Sequence, residues 1–269
     1  MNQKQNLPKI IHQIWLQGYS NIPEKLKNNI SITQQFNPSP KYKYMFWDEI
    51  LILKLISGNK YLTDKYYKYI YLHQKVDFIK LVILYKYGGI MLDMDAHAIK
   101  SLDSLFLQLD SYDFVVSKLT DLYFYSNYVA CGKFSQCVNN GNYIAKPKAD
   151  ILLYLINNLK TDCGFIDSKT TCIHKTTGPS IFNELIDKYI NMSLDNKSKI
   201  KFLPNDVLEP CIIDMCTITP NTHVIHKHEL SWHNSWLKQY YSFIYRYQLI
   251  FIIGLFVILY LIFRIRYKI

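Results

Sequence analysis

The sequence predicts an α/β fold, a sheet with flanking helices, followed by a C-terminal transmembrane helix. Short runs rich in β-branched and aromatic residues alternate with segments of helical period, the signature of a helix-covered sheet. A Gly-Gly pair launches one apolar run that ends in two carboxylates, in "YKYGGIMLDMDAHAIKSLD". Near the C-terminus lies an uncharged apolar stretch, "YQLIFIIGLFVILYLIF".

The elements follow in order. "KIIHQIWL" (9–16) reads as a first strand closed by Gly18, and Pro23 opens a helix to about Gln35. "KYKYMFWD" (41–48) follows the turn "NPSP" as a second strand. Residues 54–87 read mostly as helix, with Val76, Ile79, Val82 and Ile83 on one face and the double glycine where a C-cap belongs. "IMLD" and "YDFVVS" are the next strands, and "NYIAK" and "HVIH" later short ones. Helices are expected at about 150–160 and 180–190. With no internal repeat or low-complexity linker, this gives one catalytic domain at 1–238 and an anchor with a short basic tail at 239–269.

The chain has 269 residues, 49% of them apolar, which excludes a disordered protein and predicts a packed core. Its net charge of +10 suits an anionic ligand or surface, but the lysines are scattered among 23 tyrosines. No clustered basic stripe exists, so nucleic acid is excluded as a partner. Six cysteines show neither a C-x-x-C pair nor zinc-finger spacing, and no apolar signal segment opens the chain; reduced thiols are expected. The apolar stretch at 247–263 is bounded by Arg246 and "RIRYKI" and ringed by tyrosines. It reads as a tail anchor at the lower length limit for a bilayer span, making the chain a single-pass membrane protein with its body in the cytosol.

Asp93 and Asp95 carry the chemistry. Two carboxylates this close repel unless a cation lies beside them. At the carboxyl end of a strand, residues two apart project to one side and can share one divalent ion. Hard oxygen ligands favour magnesium or manganese, which also take phosphate oxygens. The alternative is a solvated acidic turn.

Four segments carry a resemblance. "LPKIIHQIWLQG", "VDFIKLVILYKYGGIMLDMDAHAIKSLDSL", "TTGPSIFNELI" and "HVIHKHELSWHNSW", in that order, are similar to glycosyltransferase family 32, whose members carry a DXD-containing sugar-binding region. That family includes inositol-phosphoceramide and initiating α-mannosyltransferases and is distantly similar to clostridial glucosylating toxins. The resemblance implies a GT-A-like fold, a Rossmann-like mixed sheet, with a nucleotide-sugar donor, Mn2+ or Mg2+, and retention of anomeric configuration. It places Ile14 and Trp15 at the strand end that holds the base, Asp77 on donor hydroxyls and Asp93 on ribose and sugar beside the metal. Asp95 would ligate the metal directly, and His226, Ser231 and Trp232 would reach the diphosphate and metal from the far side. The metal set is therefore Asp93, Asp95 and His226.

Two positions depart from the family. Lys80 stands where arginine is usual and cannot reproduce its two-pronged grip on phosphate. Met91 replaces a tyrosine, removing a phenol hydrogen bond. The resemblance implies a hexose donor, GDP-mannose first and a UDP-hexose next, and the expected anchor points to a lipid or membrane-bound glycan acceptor. Two rivals remain: a non-catalytic nucleotide-sugar binder, and an aspartate-nucleophile phosphatase, against which His97 occupies the position of that class's Thr or Val.

Overall fold

The computed structural model describes residues 6–119, 131, 137–193, 197–212, 215–228 and 235–267. The chain divides into two compact units, Met1–His228 and Glu229–Ile269. The first is built on a six-stranded mixed sheet of β1 (Ile10–Ile14), β2 (Lys43–Trp47), β3 (Gly89–Met91), β5 (Phe114–Lys118), β6 (Val138–Ala145) and β7 (Ile200–Leu203). Their order is β2-β1-β3-β6-β5-β7. β1 runs parallel to β2 and β3, β6 runs antiparallel to β3 and β5, and β7 returns parallel to β5. This is the helix-flanked α/β sheet that the alternation predicts, and it is mixed, as the resemblance implies.

One face is covered by α4 (Leu72–Tyr87), α6 (Asp150–Asn158) and α8 (Pro179–Asn191), which with the sheet bury Phe78, Ile83, Leu152, Phe182 and Tyr143 in the larger core. The other face packs Leu92, Ile144 and Val224 against α5 (Asp103–Leu109) and α9 (Asn205–Leu208). α1 (Glu24–Phe36) contributes Leu26 and Ile30 to a third, smaller cluster that includes Met94.

The segment expected as nearly continuous helix at 54–87 is three helices, α2 (Glu49–Ile56), α3 (Lys60–Lys68) and α4. Local side chains cap each break. Asp48 accepts from the Leu51 N–H at 2.8 Å, Asn59 from Leu62 at 3.1 Å, and the Tyr71 N–H donates to Gln74 Oε1 at 3.0 Å. The apolar periodicity is legible through all three, while these caps divide it. β7, α5 and α7 (Lys169–Thr176) lie outside the expected elements; β7 has only "IKFL" to announce it and is a strand because it pairs with β5.

The Gly-Gly pair does more than end α4. Gly88 and Gly89 both have positive φ, 64° and 101°, and a Cβ on Gly89 would sit 2.4 Å from the Ile10 carbonyl oxygen. Only glycine lets β3 leave the helix and lie this close to β1.

Two expectations are corrected. The six cysteines are not free thiols: they pair as Cys131–Cys137, Cys163–Cys172 and Cys211–Cys216, at sequence separations of 6, 9 and 5. The C-terminal stretch does form a helix, α10 (Ser235–Tyr267), but among the described residues no helix is long and apolar enough to cross a membrane. This overturns the transmembrane anchor and the single-pass location expected from it. The uncharged run between Arg246 and Arg264 holds about 17 residues. At 1.5 Å per residue that is about 25 Å of helix, short of a hydrocarbon core of about 30 Å.

Gly89→Ala is expected to destabilise the chain by about 1–3 kcal/mol or more, from positive-φ strain plus the collision with Ile10. Denaturant unfolding of the variant beside wild type measures it.

Candidate active site

The two motif aspartates stand where β3 ends. The Leu92 N–H still donates to the His12 carbonyl at 3.0 Å, and the chain then turns, closed by the Ala96 N–H on the Asp93 carbonyl at 3.0 Å. A tight turn, rather than an extended strand end, therefore brings Asp93 and Asp95 together. Met94 between them is drawn into the cluster with Ile22, Leu26 and Ile30, and its carbonyl accepts from Asn29 Nδ2 at 2.9 Å. Gln13 Nε2 donates to the Asp93 carbonyl at 3.1 Å. Burial of the middle residue leaves the flanking carboxylates to share one space.

After the turn, β4 (Ala96–Ala98) pairs antiparallel with β10 (Val224–His226), setting His226 opposite Ala96. This register delivers a histidine from more than a hundred residues away to the paired acids. His226 Nε2 lies 3.1 Å from Asp95 Oδ1 and 3.7 Å from Asp93 Oδ2. One ligand atom from each of Asp93, Asp95 and His226 falls within 4.8 Å of the others. Two carboxylates and an imidazole at this spacing form a donor set that would suit Mn2+ or Mg2+.

β6 makes room for them. A Cβ on Gly141 would lie 2.6 Å from His226 Cε1 and 2.8 Å from Asp93 Oδ2, so glycine is what lets the imidazole and carboxylate converge over this strand. On the same strand Asn142 Oδ1 accepts the Asp93 N–H at 2.9 Å.

Lys80 supplies the main positive charge. It is 3% exposed and its ammonium forms a close ion pair with Asp93, with Asp77 Oδ1 at 3.9 Å and the Asn140 and Gly141 carbonyls at 3.3 and 3.4 Å. Burial pulls its pKa down, but Asp93 and Asp77 outweigh it and the ammonium is held charged. Burial pushes the Asp77 carboxyl up to about 7, against the pull of Lys80. Asp93 is likewise raised by burial despite Lys80 and His226. For His226, burial works against the charged form, yet Glu209 and Asp95 prevail and the pKa ends well above that of a free imidazole.

The remaining expected site residues divide. Asp77 on α4 accepts from Thr177 Oγ1 at 3.1 Å and joins the group through Lys80. Trp15 follows β1 and packs on the cluster that holds Met94, and its buried indole N–H has no acceptor among the described residues. Ile14, by contrast, is 6% exposed and belongs to the main core. Ser231 and Trp232 lie outside the described residues.

Sequence reasoning missed Glu209, which is 1% exposed and bonded to His226 Nδ1 at 2.8 Å. Nothing in "NDVLEPCII" marks that carboxylate. Asn142 and Gly141 were equally silent, while Thr177 lies inside the Thr-Gly-Pro turn that carries part of the resemblance.

Gly141→Ala is expected to weaken Mn2+ binding at least tenfold while leaving the circular-dichroism spectrum of the metal-free chain native-like. Isothermal titration with Mn2+ tests it. The charges also predict a pH dependence. His226, raised in the fold, stabilises the metal-free chain fully below pH about 6.5 and loses that contribution as pH rises through its folded value; Asp77, raised from 3.8 to about 7, removes stability progressively across that interval and no further above it. In chelator the melting temperature should therefore fall from about pH 6 to about pH 8.5. Added Mn2+ should raise it more at the alkaline end, where protons no longer compete for the ligands.

Comparison with known proteins agrees with this geometry. Residues 23–112 match the family model described as glycosyltransferase sugar-binding region containing DXD motif. An uncharacterized glycosyltransferase of Acanthamoeba polyphaga mimivirus is 30% identical over 84% of this chain and 84% of its own length. Inositol phosphoceramide mannosyltransferase 1 of Schizosaccharomyces pombe is 24% identical over 70% of this chain, which spans only 54% of that protein. In fold the chain is similar to mouse xyloside xylosyltransferase 1, with a TM-score of 0.51 over 82% of this chain and 98% of that one, at 12% identity. Paired aspartates turned onto a histidine just beyond the end of a central strand of a mixed α/β sheet, together with these relatives, lead to one conclusion: the chain belongs to the glycosyltransferases with a DXD-containing sugar-binding region.

Proposed function

We propose that this glycosyltransferase is a member of family 32 that moves a hexose, best read as mannose from GDP-mannose, from a nucleotide sugar to a lipid or glycan acceptor with retention at the anomeric carbon. The observation that carries the metal-dependent part of this reading is the convergence of Asp93, Asp95 and His226 within 4.8 Å. The preference for mannose and for a lipid acceptor rests on similarity to inositol phosphoceramide mannosyltransferases.

Cleavage of the anomeric bond builds positive charge on the sugar and negative charge on the departing diphosphate. Asp93, Asp95 and His226 would hold Mn2+ or Mg2+, which when bound offsets the charge of the leaving diphosphate. The chain's own groups do the rest. Lys80, locked between Asp93 and Asp77, neutralises the acid cluster and sets the position of the Asp93 carboxylate. Asp77, with a pKa near 7, can hold a proton at its carboxyl and donate to, or accept from, a sugar hydroxyl. The Trp15 indole, beside Met94 and with no acceptor for its buried N–H among the described residues, would pack against the nucleotide base. No sequence pattern identifies a double-displacement nucleophile, and retention would fit front-face attack by the acceptor hydroxyl beside the departing phosphate.

Asp95→Ala should lower Mn2+-dependent hydrolysis of the preferred nucleotide sugar at least about 100-fold, with its melting temperature in chelator within a few degrees of wild type. A panel of GDP- and UDP-hexoses, assayed with Mn2+ and with chelator, identifies that donor. Wild-type turnover by Asp95→Ala would refute the assignment, and a preference for a UDP-hexose over GDP-mannose would overturn the donor.

A further inference from the structure

We propose that Glu209 is the positioning residue of the metal centre, holding His226 with Nε2 toward the motif aspartates and, through Asn142, fixing the backbone from which Asp93 projects. The inference rests on the metal-dependent reading of the site given above.

Glu209 follows α9 and carries a carboxylate with no exposed side-chain surface. An ion is not held in such a place without partners, since its desolvation costs several kcal/mol. Its oxygens are bonded on two sides. Oε2 accepts from His226 Nδ1 at 2.8 Å and from Asn139 Nδ2 at 2.9 Å, and lies 3.1 Å from His228 Nε2. Oε1 accepts from Asn142 Nδ2 at 2.8 Å. The Asn142 amide, thus oriented, turns its Oδ1 to the Asp93 N–H at 2.9 Å.

The consequence is geometric. An imidazole whose Nδ1 proton is committed to a carboxylate is fixed in both tautomer and ring orientation, and its Nε2 lone pair is the one available to a cation. The same buried carboxylate reaches the other side of the site through Asn142. One residue therefore ties β10, which brings His226, to β6 and to the turn that brings Asp93. Glu209 bonds His226 at Nδ1, on the far side of the ring from Nε2, and belongs with His226 and His228 rather than to the Asp93, Asp95 and His226 group, so it acts on that group through its neighbours. A carboxylate serving only to join β6 to β10 would affect stability and leave cation affinity alone, which makes the two roles separable.

The test uses the full chain and Mn2+ alone as the probe. Glu209→Gln keeps the shape, but its amide cannot accept from both His226 and Asn142. By calorimetry, Mn2+ affinity is expected to fall about 10–100-fold. In turnover assays the half-saturating Mn2+ concentration should rise by the same factor, with kcat recovered to within about threefold at saturating Mn2+. A folded Glu209→Gln chain that binds Mn2+ like wild type, while Asp95→Ala does not bind it, overturns the role of Glu209 and leaves the metal site standing. A wild-type chain that takes up no Mn2+ overturns the metal site and this inference with it. Should Glu209→Gln fail to fold, Glu209→Asp keeps the charge but, one methylene shorter, cannot bond both His226 and Asn142; a three- to tenfold loss of affinity supports the proposal and an unchanged affinity overturns it.

Discussion

The site depends on gathering four carboxylates, Asp77, Asp93, Asp95 and Glu209, against two cationic groups, Lys80 and His226, within largely buried surroundings. Coulomb repulsion among the acids and the cost of taking each out of water both oppose this arrangement. It holds because each acid has a specific partner: Lys80 for Asp93 and Asp77, His226 for Asp95 and Glu209. The frustration is local. Asp77 and Asp93 remain raised by burial while Glu209, better partnered, is lowered to about 2, so Glu209 is held ionised and any proton the cluster retains falls on Asp77 or Asp93.

Lys80 takes a different part from that of a phosphate-gripping arginine. A guanidinium presents a fork of donors to two directions at once, whereas an ammonium is a compact point charge. Here that charge is enclosed by Asp93, Asp77 and two backbone carbonyls, and its main work is to compensate the acids. The substitution is thus compatible with an intact acid cluster.

Backbone approach matters as much as charge. Gly89 lets β3 run against β1, and Gly141 clears the space in which the Asp93 carboxylate and the His226 ring meet. The first positions the turn and the second its contents. The disulfide Cys211–Cys216 closes the hairpin of β8 (Cys211–Ile212) and β9 (Met215–Cys216) just after Glu209, so the segment carrying that carboxylate is tied down locally as well.

How much of this was legible in the residues alone follows from the range of the interactions. The alternating pattern determined the α/β class, and the double glycine before an apolar run located Asp93 and Asp95, because backbone conformation and strand burial are local properties of sequence. Ordered resemblance across four segments added Asp77 and His226, which lie in the acid cluster, and Ile14, which lies in the main core. The C-terminal run reads as apolar in sequence, but membrane spanning depends on the length of the uncharged stretch against bilayer thickness, and there the expectation failed. Glu209, Asn142 and Gly141 acquire meaning only when the β4–β10 and β3–β6 pairings set them beside the acids. A buried carboxylate is chemically unremarkable in a string of letters; its partners, contributed by strands tens of residues away, decide whether it serves a metal site, and only tertiary structure brings them within hydrogen-bonding distance.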